Sequence, residues 1–369
     1  MNTITNNASR SLQEKKATLR GKLTEGRTMA KRLLVAVALA VAFFGSAYAQ
    51  QQVAVLQRGD SVLGVYYGID SFKQAMAASA NGDIITLSSG NFNSPTSSAP
   101  LAKAITIRGA GAVEDTARGV LPTVFSGEFI CNNISATTAH HLTVEGVMFV
   151  DDFDYGSGVK SSIQFPEFIR CIFNDKSSDF VSFNNGLYVN CVFKKSTVTS
   201  YGYNNGTFVN CVLWDGAGSN STITLNNCVV RLEGSVSNIN ANNTIFFRRR
   251  NATSNFSVGS NLYNCVIIGG TLSNVYNSTN TVLPADSLSA VFATFTNSSN
   301  DINYSTSYAL TDRAAASFLG VDGTQVGIYG GVMPFGYVPT YNVIRRCTVA
   351  PRSTADGKLS VDIELESVQ

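Results

Sequence analysis

The sequence predicts an all-β chain, a single-stranded right-handed parallel β-helix (a solenoid) with an N-terminal capping helix and a small C-terminal β segment. Three observations predict it. A short motif recurs about every 20 residues through the middle of the chain. One face of that motif is apolar in every copy. The composition is poor in charge and rich in Asn, Ser, Thr, Gly, Val and Phe, which suits many short strands joined by polar turns.

The motif is clearest in five stretches: Phe168–Phe173 (FIRCIF), Tyr188–Phe193 (YVNCVF), Phe208–Leu213 (FVNCVL), Leu225–Val230 (LNNCVV) and Leu262–Ile267 (LYNCVI). Ala241–Phe246 fits with Thr244 in the Cys place, and Val144–Phe149 fits with Val147 there. Equivalent positions are separated by 24, 20, 20, 17, 16 and 21 residues. A period of this size in a helix-poor chain marks a solenoid whose repeating unit is one coil.

Side chains alternate across a strand, so the Cys position and the position two later share a face. The later column reads Phe149, Phe173, Phe193, Leu213, Val230, Phe246 and Ile267, apolar throughout, which points it into the core. Cys171, Cys191, Cys211, Cys228 and Cys265 then form a stacked core column, for which a small apolar side chain is suited. In-register Cβ vectors disfavour disulfides between neighbours. The spacing lacks the paired Cys-x-x-Cys knuckles of a zinc site. The residue before the Cys position is Asn190, Asn210, Asn227, Asn243 and Asn264 in successive coils. Asn tolerates a left-handed backbone, and stacked amides bond from coil to coil, so this column reads as a turn ladder.

At the ends, Asp70–Ala80 has helical spacing behind an Asp-Ser start, with Phe72, Ala75, Met76 and Ser79 on one side. Such a helix would close the open first coil. Gly357–Glu366 alternates strictly and reads as an exposed strand or small cap. Lys31 and Arg32, the apolar run Leu33–Phe44 and Ala47-Tyr48-Ala49 have the order of a secretory signal, and the run is shorter than the ~20 residues of a membrane span. Cleavage after Ala49 would make Gln50 the mature terminus. The expected organisation is therefore 1–49 upstream extension and signal, 50–335 β-helix, and 336–369 tail or cap strand. The expected location is the periplasm, cell surface or exterior of a Gram-negative bacterium, with no integral membrane segment after cleavage and a monomeric state.

The stretch of an amphipathic helix, Asn81-Gly82-Asp83, then Ile84–Leu87 and Ala104–Gly109 resembles the opening of pectate-lyase-like β-helix proteins. Tyr308-Ala-Leu310 with Gly320–Phe335 resembles the closing segment of many exported bacterial β-helix proteins. The resemblance covers roughly 66–335 and implies the fold; the fold hosts lyases, hydrolases, adhesins and passive scaffolds. Of the polygalacturonase-like motifs, only paired Asp has a counterpart, Asp151-Asp152. His140-His141 lack a glycine setting, and the Arg-x-Pro-x-x-Arg segment of one pectate lyase type is absent.

One constellation carries possible chemistry. Four places after the Cys position stand Asp151, Asp175, Lys195 and Asp215 in successive coils, with Asp152, Lys194 and Trp214 beside them. Stacked about 5 Å apart, they would form a charged outer wall. Its carboxylates, above all Asp151 and Asp175, would hold calcium for an acidic sugar, Lys194 or Lys195 would act as a base, and Trp214 would stack on a ring. Otherwise no cofactor is implied. Arg248–Arg250 and His140-His141 read as solvated turns.

Charged residues are 14% of the chain and the formal net charge is +2, which leaves no basic stripe for nucleic acid. The leading functional expectation is an exported β-helix that binds polysaccharide or glycan without an identifiable catalytic motif. The alternatives are a polysaccharide lyase acting on uronate-containing glycans and a structural or adhesive surface protein.

Overall fold

The structure is a computed structural model. It describes residues 52–117, 119–137, 139–155, 161–174, 181–194, 203–213, 222–232, 236–248, 255–256, 259–272, 276–277, 279–295, 307–337, 343–349 and 361–366. Two compact units divide the chain, and the larger, Gln50–Leu56 with Tyr66–Val338, is a parallel β-solenoid. The antiparallel pair Val343–Val349 and Val361–Glu366 belongs to the smaller unit. The strand foreseen from the alternation of Gly357–Glu366 is thus present as Val361–Glu366.

Each coil contributes one strand to each of two long sheets. The first sheet runs through Ile84–Leu87, Thr106–Arg108, Thr143–Glu145, Glu167–Ile169, Leu187–Val189, Thr207–Val209, Ile223–Asn226, Ile239–Asn242 and Asn261–Tyr263. The second includes Met148–Phe149, Ile172–Phe173, Val192–Phe193, Val212–Leu213, Val229–Leu232, Ile245–Arg248 and Val266–Ile268. Short strands such as Ser161–Gln164, Val181–Asn184 and Tyr203–Asn204 close the third side. All these pairings are parallel. The register Met148↔Ile172↔Val192↔Val212↔Val229↔Ile245↔Val266 reproduces the sequence steps coil by coil.

The interior is built of stacked columns. Cys171, Cys191, Cys211, Cys228 and Cys265 are buried, as are Val147 and Thr244 in the same column. The column two residues later stacks aromatic on aromatic: the rings of Phe173 and Phe193 lie 4.6 Å apart and 4° from parallel. A second ladder of Phe168, Tyr188 and Phe208 faces it, with Tyr188 and Phe208 4.6 Å apart at 14°. Offset stacking of this kind adds to the burial of each ring.

The thiols do more than fill space. Cys191 Sγ donates to Phe168 O at 3.4 Å and Val189 O at 3.5 Å. Cys171, Cys211, Cys228 and Cys265 each make the same two contacts in their own coils. Thr244 Oγ1 makes them too, to Leu225 O at 3.5 Å and Asn242 O at 2.9 Å. Below Cys265, Asn280 ends the column by donating to Leu262 O at 3.1 Å and accepting from the Cys265 backbone at 2.9 Å. From Cys171 to Cys265 every member of the column is thus a small side chain that carries a donor, a feature beyond the apolar packing read from the sequence, whereas Val147 in the earlier coil packs without one.

The helix Ser71–Ala78 lies over the first coil, burying Phe72, Ala75 and Met76. Phe72 meets Phe125 at 4.7 Å between ring centres. Asp70 makes no capping hydrogen bond. Its carboxylate instead accepts from Asn93 at 2.8 Å and pairs with Lys73 at 2.7 Å, and these partners hold it below its ordinary pKa. The other end of the helix is satisfied by Lys103, whose Nζ donates to the carbonyls of Met76, Ala77 and Ser79 at 2.8, 3.1 and 2.7 Å.

Candidate functional site

Two tight turns and one long connection shape each coil, and the tight turns are made by residues with positive φ. Asn190, Asn210, Asn227, Asn243 and Asn264 have φ between 50° and 55°, the left-handed region that Asn tolerates. Arg170 and Gly146 hold the same place in earlier coils. A second left-handed column, Phe165, Asn185 and Asn205, turns the chain into the first sheet. Its signal was the repeat of Phe183-Asn-Asn-Gly186 as Tyr203-Asn-Asn-Gly206.

The charged column read from the sequence is only partly described. Asp175, Lys195, Trp214 and Asp215 lie outside the described residues. Asp151 is half-buried and its carboxylate accepts from the Gly127 backbone at 3.0 Å, a coil-to-coil turn contact. Asp152 follows it, and its carbonyl accepts from Phe129 N–H at 2.8 Å. Lys194 is stacked above Asn174 in register: its backbone donates to Phe173 O, as Asn174 donates to Phe149 O. His141 pairs with Glu167 at 3.3 Å. Among the described residues no group of three or more His, Cys, Asp or Glu side chains is disposed to hold a metal ion.

The outer surfaces of the two long sheets differ. On the second sheet, the residue after the Cys position points outward and is still buried: Ile172, Val192, Val212, Val229, Ile245 and Val266. They form a second apolar cluster with Leu288, Val291, Phe292, Phe295, Tyr308, Leu310, Ala314, Val326 and Ile328. The chain beyond the last coil thus folds back over this sheet. The same segment is fastened to the Asn turn column. Asn190 Nδ2 donates to Pro334 O, Asn210 Nδ2 to Ile328 O and Gly330 O, and Asn243 Oδ1 accepts from Val321 N–H. Within this turn column, Asn243 and Asn227 bond amide to amide, at 3.5 Å. At Gly330 a Cβ would collide with the Gln325 carbonyl and come within 2.8 Å of the Asn227 amide, so only glycine allows the approach.

The first sheet keeps its outer face half-exposed across four successive coils. Two columns run along the axis: Thr207, Thr224, Asn240 and Asn261; and Val209, Asn226, Asn242 and Tyr263. Their amides are chained coil to coil, Asn242 Nδ2 to Asn226 Oδ1 at 3.0 Å and Asn261 Nδ2 to Asn240 Oδ1 at 2.7 Å. A carboxamide has two donors and two acceptor sites, so each chained amide keeps capacity for a further partner. Tyr263, at 45% exposure, is the last described member of the second column. Sequence reasoning missed this face because Thr and Asn at strand positions read as ordinary solvated residues.

Comparison with protein-family models, with curated proteins and with solved structures finds no match. No helix among the described residues is long and apolar enough to cross a membrane.

Proposed function

We propose that the protein is an exported β-solenoid that binds a polysaccharide or glycan along the outer face of its first sheet, without chemistry of its own. One observation carries the reading. The chain covers the outer face of its second sheet with its own residues, yet among the described residues the first keeps a half-exposed array of hydroxyls and amides, partly chained from coil to coil. A polymer with hydroxyls on every unit would contact one coil after another, and many weak contacts along a preformed surface sum without an ordering cost to the protein. The signal-like segment 31–49 and the resemblance of residues 66–335 to exported pectate-lyase-like proteins support the setting.

A glycan array run beside an absorbance assay for unsaturated uronate products tests this. Binding without new absorbance is the expected result. Growth of absorbance would replace the reading with a polysaccharide lyase, in which Lys194 or Lys195 is the base. Failure to retain any glycan would leave the adhesive or scaffold reading in its place.

A further inference from the structure

We infer that the ligand of this face is an uncharged, hydroxyl-rich glycan, and that Asn226, Asn240, Asn242, Asn261 and Tyr263 form its subsite. The inference rests on the glycan-binding reading and names which glycans that reading admits.

Charge is distributed unevenly along the first sheet. Its earlier coils carry Arg108, Glu145, Glu167 and Arg170. There Arg170 Nη1 meets Glu145 Oε1 at 3.2 Å, both side chains nearly buried, and His141 meets Glu167. From Thr207 to Tyr263 the outward positions carry no ionisable group except the tyrosine hydroxyl. A uronate lying there would give up water around each carboxylate and meet amides in place of cations, a poor exchange. No acidic cluster among the described residues offers a bridging divalent ion. A neutral sugar has no such cost. Its hydroxyls both donate and accept, and so do the free sites of the chained amides. The chaining fixes each amide's orientation and polarises its neighbours, so the array is organised before ligand arrives. Tyr263 stands in register beside Asn242 and supplies what a polar array lacks, an exposed aromatic body with a hydroxyl at its tip.

The test is affinity electrophoresis of the full chain in gels containing hydroxyethylcellulose, xylan, mannan or polygalacturonate, at low and high salt. The expected result is retardation by at least one neutral polymer, insensitive to salt. Tyr263→Ala should weaken it about tenfold, and Asn242→Asp should weaken it further by placing a charge in the array. Glu167→Gln, outside the subsite, should leave it unchanged. Unfolding midpoints of the variants separate lost binding from lost fold; Tyr263→Phe should retain binding if the ring body matters. Retardation by polygalacturonate alone, or neutral binding untouched by both subsite variants, overturns the inference and leaves the broader glycan reading standing. Retardation by none of the four polymers overturns the broader reading, and this inference with it.

Discussion

The side-chain nitrogen of Asn210 donates to two carbonyls of the closing segment, Ile328 at 2.7 Å and Gly330 at 2.8 Å, from a backbone held at φ 51°. One residue thus makes a solenoid turn and anchors the chain that crosses it. The two roles are separable. Asn210→Gly keeps the backbone and loses the amide, and should destabilise by about 1–3 kcal/mol because the buried Gly330 carbonyl loses this donor and the Ile328 carbonyl keeps only the Phe335 N–H. Asn210→Ala should cost about 1 kcal/mol more for the left-handed conformation. Denaturant titrations giving equal stability for Asn210→Gly and the parent protein would refute the anchoring role.

Outward-pointing positions on the two sheets should respond unequally to the same substitution. Val212 lies under the closing segment and is 2% exposed, whereas Thr224 is half-exposed on the first sheet. Val212→Asp should destabilise by about 3 kcal/mol or more and speed proteolysis within residues 307–337. Thr224→Asp should change stability by less than about 1 kcal/mol. Similar losses for both would contradict the covering of the second sheet.

Tyr188 sits in the ladder between Phe168 and Phe208, and its hydroxyl is buried without a hydrogen-bond partner among the described residues. Gly186 makes room for it, since a Cβ there would stand 2.6 Å from the Tyr188 oxygen. Tyr188→Phe should therefore stabilise by about 1 kcal/mol. A fall in the thermal midpoint would mean that the hydroxyl does have a partner.

Three thiols of the column make stability fall in alkali. Burial pushes Cys265 up to about 12 and holds Cys171 and Cys211 well above the ordinary thiol value. A folded-state pKa raised above the unfolded value of about 8.5 means the unfolded chain loses these protons first. The stabilisation is complete below about pH 8.5 and declines as pH rises toward the folded values. Cys265→Thr copies the side chain that Thr244 already places in the same column, so it should keep the fold and flatten the loss measured between about pH 8.5 and 11. Fast reaction of the native thiols with a bulky reagent at neutral pH would contradict their burial.

Much of this was legible in the sequence because a solenoid repeats its physics. The Cys place and the place two later were each occupied by compatible side chains in every coil, so position and orientation followed from alternation alone. The five Asn in one place declared a turn. What escaped was the partner of the place between. Ile172, Val192, Val212 and Val229 are apolar as consistently as the core column, and an outward column of that kind requires a cover. The segment that supplies it lies up to 144 residues away, as between Asn190 and Pro334, where no periodicity links the two. The charged wall was read by the same register logic. Of its four members only Asp151 lies among the described residues, engaged with Gly127.

The fold-back of the closing segment has a consequence for how the chain reaches its native state. Coils that touch only their neighbours can add one at a time, with short loops closed at each step. Here the outer face of the second sheet is covered only by residues 288–328, and the fastening to Asn210 comes from more than a hundred residues downstream. That late, high-contact-order step joins several coils at once and ties local units into one cooperative transition. A chain halted before residue 288 would present a stripe of Ile and Val to its surroundings, the state most exposed to aggregation during synthesis.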